Sequence, residues 1–284
     1  MKLSPAEFDG VRTAIHQLSG LVLAEDKQYL VTSRLIPLLQ RQGLTSFQDL
    51  IIRLQDPRND RLRSEVIDAM STNETSFNRD GHPFEALRQQ ILPEVARRTF
   101  QPSLSVGRKI RIWSAAASTG QEPYSIGMAI YQMFDTLRLP GPPLTADHFS
   151  ILASDVSQHA LAIARKGHYP TWELDRGLTS EQRSRFFTPT GNHWTITDEI
   201  RRLVEFQRLN FVEPVPNLGS FDIILCRNLL IYFNEATRTK ICDRFFQLLN
   251  PQGYLLIGSA ESLFGIPHAF QIESIGKTQV YRKP

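Results

Sequence analysis

The chain has 284 residues, 41% of them hydrophobic, which suits one large domain with a packed core and a smaller one beside it. Its net charge of +3 is mild, so any electrostatic message lies in where the charges sit; Cys226 and Cys242 are too few for a disulfide framework or a thiolate metal site. No apolar run reaches the length of a membrane span, and Met1-Lys2-Leu3-Ser4-Pro5 leads into polar sequence, so a cytoplasmic chain without membrane insertion is expected.

Residues 1–72 read as an all-helical domain. Ser4-Pro5-Ala6-Glu7 is a capping box with proline at the first helical position, followed by Phe8, Val11, Ile15 and Leu18 at helical spacing until Gly20. A second helix spans about Gln28 to Gln42, a third follows the Thr45-Ser46 cap and stops at Asp56-Pro57, and a fourth begins near Arg58. Residues 73–108 form a polar connection and a helix around Pro83 to Arg97. From 109 to 284 strands alternate with helices. The strands are 110–114, 149–154, 221–226 and 253–258; the helices are 123–137, 157–166 and 234–249. The chain closes with a hairpin of 270–274 and 278–282 around Gly276. This is an α/β class: a doubly wound, mostly parallel sheet with an antiparallel C-terminal strand, as in class I adenosylmethionine-dependent methyltransferases. Between about 168 and 208 the pattern breaks. Trp172-Glu173-Leu174, Arg185-Phe186-Phe187-Thr188, His193-Trp194-Thr195-Ile196-Thr197 and Arg202-Leu203-Val204-Glu205-Phe206 suggest a small antiparallel β insertion, either a recognition element or a stabilising hairpin.

Strand Ile110-Arg111-Ile112-Trp113 runs into the small residues Ser114 to Gly120 and then a helix opening at Gln121-Glu122-Pro123. Small side chains let a nucleoside approach the backbone there. Neither phosphate-loop fingerprint is present, and Glu122 in the first turn would repel a pyrophosphate but suit a cofactor with a positive centre. Asp155 ends the second sheet strand, where a carboxylate accepts from ribose hydroxyls or simply faces the helix dipole. It lies 35 positions after Gly120 rather than about 20, and the loop Leu139 to Leu144 accounts for the excess. Arg227, Asn228 and Tyr232 follow the 221–226 strand at the ligand-facing end of such a sheet; the polar pair interrupting an apolar run needs partners. Tyr232 can equally be a packed aromatic. Asn73, Thr75 and Arg79 either cap a loop or reach over the crevice, where Arg79 can grip a carboxylate. Between Lys27 and Arg63, seven basic residues, Arg34 and Arg41 among them, stand against three acids. That is a docking face for an acidic partner or an ordinary solvated one. No metal-ligand spacing and no Ser-His-Asp pattern is present, so no metal is expected.

These stretches together resemble the CheR family of bacterial chemotaxis receptor methyltransferases. The resemblance rests on Thr72-Asn73-Glu74-Thr75-Ser76-Phe77-Asn78-Arg79, Ala117 to Ser125, Ala153-Ser154-Asp155-Val156 and Cys226 to Phe233. It implies S-adenosylmethionine as cofactor, with S-adenosylhomocysteine as product, contacted by Asn73, Thr75, Arg79, Glu122, Asp155, Asn210, Phe211, Arg227 and Asn228. Arg79 and Tyr232 would be catalytic, Tyr232 lining the methyl-transfer site. The helical domain would dock the cytoplasmic helical bundle of methyl-accepting chemoreceptors through Arg34 and Arg41. The implied reaction gives glutamate methyl esters, used in adaptation during chemotaxis-type signal transduction. Asn78 departs from the family by replacing the second residue of a Phe-Phe-Arg run, and Gln121 stands where Glu is common. The turn Thr190 to Trp194 is shorter and poorer in glycine than in members that bind a receptor C-terminal peptide, so no such tether is expected. Two other readings are a non-enzymatic adenosylmethionine-binding signalling module and a nucleic-acid methyltransferase. The second lacks an Asn/Asp-Pro-Pro-Tyr/Phe motif and a Pro-Cys nucleophile, so no nucleic acid is expected as partner.

Overall fold

A computed structural model describes residues 2–100, 108–140, 143–214 and 216–284. Four helices make the N-terminal layer: α1 (Pro5–Ser19), α2 (Gln28–Arg41), α3 (Phe47–Gln55) and α4 (Asp60–Met70). The Ser4 hydroxyl accepts from the Glu7 N–H and the Glu7 carboxylate from the Ser4 N–H, so the capping box forms. Phe8, Val11 and Ile15 of α1 bury against Leu35, Leu39, Leu50, Leu62 and Val66. Gly20 ends α1 at φ +75°, where an added Cβ would lie 2.7 Å from Val212 and 3.1 Å from Phe233. Only glycine lets the helical layer approach the sheet that closely.

The helix expected near 83–97 is one rod with a defect. Helix α5 (His82–Ala86) passes through a π-turn at Leu87–Ile91 into α6 (Leu92–Thr99). Pro93 has no N–H to give and its ring conflicts with the carbonyl four residues back, and the wider turn before it removes that conflict. Next come β1 (Ile110–Ser114), α7 (Gln121–Thr136), β2 (Phe149–Asp155) and α8 (Gln158–Lys166). The loop expected at 139–144 separates α7 from β2; its residues Gly141 and Pro142 lie outside those described. Then follow β3 (His168–Pro170), α9 (Thr171–Asp175), α10 (Ser180–Phe186), β4 (Phe187–Thr190), β5 (His193–Ile196) and α11 (Asp198–Arg201). The chain ends through β6 (Val204–Arg208), β7 (Phe221–Cys226), α12 (Glu235–Leu248), β8 (Leu249–Ile257), β9 (Gln271–Ile275) and β10 (Thr278–Arg282).

The seven-stranded sheet has the order β6-β2-β1-β7-β8-β10-β9. The first five strands pair in parallel, and β10 inserts antiparallel between β8 and β9. Strand β7 is buried along its whole length, as a central parallel strand must be with both faces covered. On one face Ile112, Ile223 and Leu225 meet Ile126 and Ile130 of α7 and Leu87 and Ile91 behind them. On the other, Trp113, Ile224 and Leu255 meet Ile241 and Phe245 of α12. The Trp113 indole N–H, trapped in that layer, donates to Ser154 Oγ at 2.9 Å. Among the described residues no helix is long and apolar enough to cross a membrane.

Two expectations for 168–208 are corrected. Trp172-Glu173-Leu174 lies on α9, not on a strand, and Arg202 to Phe206 leads into β6, which pairs in parallel with β2 at the edge of the main sheet. An edge strand is half exposed, so its alternation imitates that of a separate hairpin. The small antiparallel sheet is β3-β5-β4 alone. It packs around Phe77, whose ring meets Tyr169 and Phe187 edge-on at centroid distances of 5.0 and 5.3 Å. Gly177 closes the contact: a Cβ there would fall 1.9 Å from the Phe77 carbonyl oxygen. Gly177→Ala should therefore cost about 1–3 kcal/mol of stability, the usual cost of overpacking. Urea unfolding measures it, and an unchanged midpoint would contradict the packing described.

Candidate active site

The sheet order reverses at β1, which has β2 on one side and β7 on the other. In an open α/β sheet the crevice at the C-terminal ends of such strands is where ligands bind. A cavity lies there, walled by Ala116, Ser118, Glu122, Asp155, Arg227, Asn228 and Tyr232 from the sheet domain. Asn73, Thr75 and Arg79 close it from the connecting segment, and Leu21, Val22, Leu23 and Leu30 from the helical layer.

The loop after β1 is held by its neighbours. Ser118 sits at φ +49°, its N–H donating to Asp155 Oδ2 at 2.8 Å and its hydroxyl to the Asn73 carbonyl at 3.0 Å. Asp155 Oδ1 takes the Ser157 N–H at 2.9 Å, so the carboxylate holds both the small-residue loop and Ser157, whose hydroxyl caps α8 by accepting the Ala160 N–H. Burial raises the Asp155 carboxyl above its ordinary 3.8, against N–H donors from Ser157, Ser118 and Val156. The Asp155 carboxylate thus lies at once beside the start of α8 and on the cavity wall.

Glu122 is almost fully buried in the first turn of α7. Ser114 Oγ donates to its Oε1 at 2.8 Å and Arg227 Nη1 to its Oε2 at 3.3 Å. Arg227 is equally buried, and its Nη2 donates to Asp80 Oδ2 at 2.7 Å and to the Arg79 carbonyl at 2.9 Å. Its guanidinium lies 5.3 Å from the centre of the Phe84 ring. Of the buried side-chain polar atoms left unmatched among the described residues, two belong to residues of the cavity wall: Arg227 Nε and Asn228 Oδ1. Buried polar atoms are normally paired, so an orphaned acceptor beside a buried carboxylate fits a ligand bearing a cation and N–H donors. Arg79 is half exposed at the mouth, where its Nη1 donates to the Glu74 carbonyl at 2.9 Å, and Tyr232 is half buried opposite the helical layer.

Two residues expected around the cofactor, Asn210 and Phe211, are engaged elsewhere. Asn210 and Phe211 do not line this cavity: the Asn210 amide donates to the Leu18 carbonyl at 2.7 Å and to Glu213 at 2.9 Å, fastening α1 to the sheet. The Phe211 ring packs on Trp113 and Phe245. Arg34, expected on the docking face, donates from its guanidinium to the carbonyls of Met70 at 2.8 Å and Ser71 at 3.1 Å and to the Thr72 hydroxyl at 3.3 Å. Arg41 alone of that pair stands exposed.

The departures in the motifs have local explanations. Asn78 sits at φ +46°, a conformation asparagine tolerates better than phenylalanine, and its amide reaches Gly177 and Gln182 of the insertion. Gln121 donates to Glu173 at 2.6 Å, where a second carboxylate would be repelled. The wall Leu21-Val22-Leu23 escaped sequence reasoning, although an apolar run straight after a glycine helix stop is the trace it leaves. The Val22 N–H donates to the Tyr232 carbonyl at 2.9 Å.

A family model described as the CheR methyltransferase SAM-binding domain matches residues 73–279, and its all-alpha companion matches residues 6–71. Chemotaxis protein methyltransferase 1 of Pseudomonas aeruginosa is 40% identical over 283 residues, covering 99% of each chain. Chemotaxis protein methyltransferase Cher2 of Pseudomonas putida is 38% identical with the same coverage. The chemotaxis protein methyltransferase of Salmonella typhimurium is 36% identical over 96% of this chain and 89% of its own. S-adenosylmethionine is accordingly the cofactor.

Burial, with the nearby Glu261 charge adding to it and Arg227 and Ser114 opposing, raises the Glu122 carboxyl above its ordinary 4.5. The folded state then holds this proton more tightly than the unfolded chain. The stability that the proton contributes is present below pH 4.5 and is lost as pH rises through the folded value. Without cofactor, Glu122→Gln should flatten urea stability against pH in that window. A curve of unchanged slope would contradict the burial argument.

Proposed function

Because the chain belongs to the CheR family of chemotaxis protein methyltransferases, we propose that it methylates glutamate side chains on the cytoplasmic helical bundle of methyl-accepting chemoreceptors. The single observation that carries the reading is the buried Glu122–Arg227 pair beside the orphaned Asn228 Oδ1, a place for a zwitterionic cation rather than a phosphate. Bound S-adenosylmethionine supplies an electrophilic methyl on a positive sulfur. Attack by an acceptor carboxylate oxygen on that methyl would give the ester, with the electron pair of the broken C–S bond left on sulfur.

The acceptor glutamate has a pKa of about 4.3 in water and is already ionised at neutral pH, so no general base is required. What the residues contribute is position and exclusion of water, which raise effective molarity and strip the nucleophile of solvent. Asp155 takes the ribose hydroxyls. Glu122 faces the cationic methionine end, Asn228 Oδ1 accepts from its ammonium, and Arg227 with Arg79 faces carboxylates. Asn73 and Thr75 close the pocket over the cofactor, and Tyr232 orients the accepting oxygen. Leu21, Val22 and Leu23 keep water from that side. Arg41 and the other cations of the helical layer form the docking face for the acidic receptor helices. The β3-β5-β4 sheet is not assigned a peptide-tethering role.

Incubation with tritiated S-adenosylmethionine and membranes bearing chemoreceptors should place base-labile label on receptor glutamates. Label on DNA or RNA instead, or bound cofactor with no labelled ester, would overturn the proposal. In the same preparation Asp155→Ala should weaken cofactor affinity roughly ten- to a hundredfold, the worth of hydrogen bonds to a charged group. Unchanged affinity by calorimetry would remove the ribose role.

A further inference from the structure

The turn leaving β8, Gly258-Ser259-Ala260-Glu261, grips both members of the Arg227-Asn228 pair, although none of its residues is on the cavity wall. Glu261 Oε2 accepts from the backbone N–H groups of Asn228 and Gly258, each at 2.7 Å, and its Oε1 accepts from Ile231 N–H at 3.3 Å. Hydrogen bonds to an ionised carboxylate are about twice as strong as neutral ones. They are spent on an awkward stretch of chain. Asn228 sits at φ +58°, a conformation that non-glycine residues adopt only when their surroundings impose it. The 3₁₀ turn Leu230–Tyr232 follows at once, and Ile231 N–H lies in its first turn, where no partner exists within the turn. Gly258 permits the approach: a Cβ there would be 2.7 Å from Glu261 Oε2 and 2.8 Å from the Asn228 nitrogen.

The same turn acts on Arg227 by a second route. Ser259 Oγ donates to Asp80 Oδ2 at 3.0 Å, the oxygen that takes Arg227 Nη2 at 2.7 Å. Ser259 Oγ also meets His82 Nε2 at 3.2 Å, and His82 Nδ1 meets Thr278 Oγ1 at 2.8 Å, which ties the arrangement to β10.

We propose that Glu261 is a positioning residue for methyl transfer: its carboxylate sets how Asn228 and Tyr232 present themselves to the pocket. Ser259 does the same for Arg227 through Asp80. The proposal rests on the methyl-transfer reading of this pocket. It also has an electrostatic consequence. Glu122 is faced by Ser114 from β1, by Arg227 with its partner Asp80, and by the charge of Glu261 from the turn after β8. Removing the last of these leaves Arg227 less opposed and lowers the Glu122 carboxyl.

Two variants test it, with cofactor affinity followed by calorimetry against pH and turnover measured on receptor-bearing membranes. Glu261→Ala frees all three N–H groups, so kcat should fall about 10²-fold, the cost of misplacing reacting groups by about 1 Å, and cofactor affinity should fall with it. Glu261→Gln keeps one carbonyl oxygen for Asn228 and Gly258 but turns an NH₂ toward Ile231. It should retain cofactor affinity at neutral pH and lose about tenfold in kcat, the worth of one hydrogen bond. Its pH midpoint for cofactor binding should move to lower pH. If either variant loses only thermal stability, with kcat and the pH midpoint of wild type, the positioning role is wrong. If the wild-type protein transfers no methyl group to receptor glutamates, the functional reading fails by itself. The cofactor affinity of Glu261→Ala then still decides whether the carboxylate positions Asn228, and an unchanged affinity would overturn it.

Discussion

One buried guanidinium organises the end of this sheet. Arg227 leaves β7 and meets Glu122 of α7, Asp80 and the Arg79 carbonyl of the connecting segment, and the ring of Phe84 on α5. Those groups come from parts of the chain that are distant in sequence and converge on this one cation. Breaking such a buried pair from one side typically costs about 3–5 kcal/mol, because a charge is left uncompensated. The pocket is therefore built around a charge that has to be satisfied, and Arg227 Nε and Asn228 Oδ1 on its wall remain without a partner.

The connecting segment that supplies Asp80 is a three-way junction. Arg34 of α2 holds its start at Met70, Ser71 and Thr72. Ser118 takes its Asn73 carbonyl toward the loop after β1. Phe77 and Asn78 anchor its far end in the small antiparallel sheet and on α7, where the Asn78 N–H meets Ser125 Oγ at 3.0 Å. Helical layer, insertion and sheet thus share one short stretch of backbone.

Much of this was legible in the sequence where the determinants are local. The capping box at Ser4, the small residues after β1, Asp155 closing β2 and the polar pair interrupting an apolar run after β7 all announce themselves within a few residues. The strands did so too, because β7 is apolar from Ile223 to Cys226 and the C-terminal hairpin turns on Gly276. What escaped depends on packing between segments far apart. The wall Leu21-Val22-Leu23 acquires meaning only when α1 is laid against Phe233 and Val212. Arg34 reads as a surface cation until α4 ends beside it. Asn210 carries the right chemistry for a ligand and uses it on α1 instead. Strand β6 imitates a hairpin because an edge strand and a half-exposed hairpin bury the same fraction of each side chain. Glu261 lies thirty-three residues beyond Asn228, and only the parallel pairing of β7 with β8 brings the two together.

The central claim is that a buried carboxylate, Glu122, held between Arg227 and Ser114, receives the positive end of S-adenosylmethionine. A cation binding beside a carboxyl raised by burial favours its ionised form, so binding must release a proton where Glu122 is partly protonated. Calorimetry of cofactor binding in two buffers of different ionisation enthalpy measures that proton directly. The account predicts release on the acid side that disappears in Glu122→Gln, with wild-type affinity rising as pH rises through the titration. Equal proton release in wild type and Glu122→Gln would contradict it.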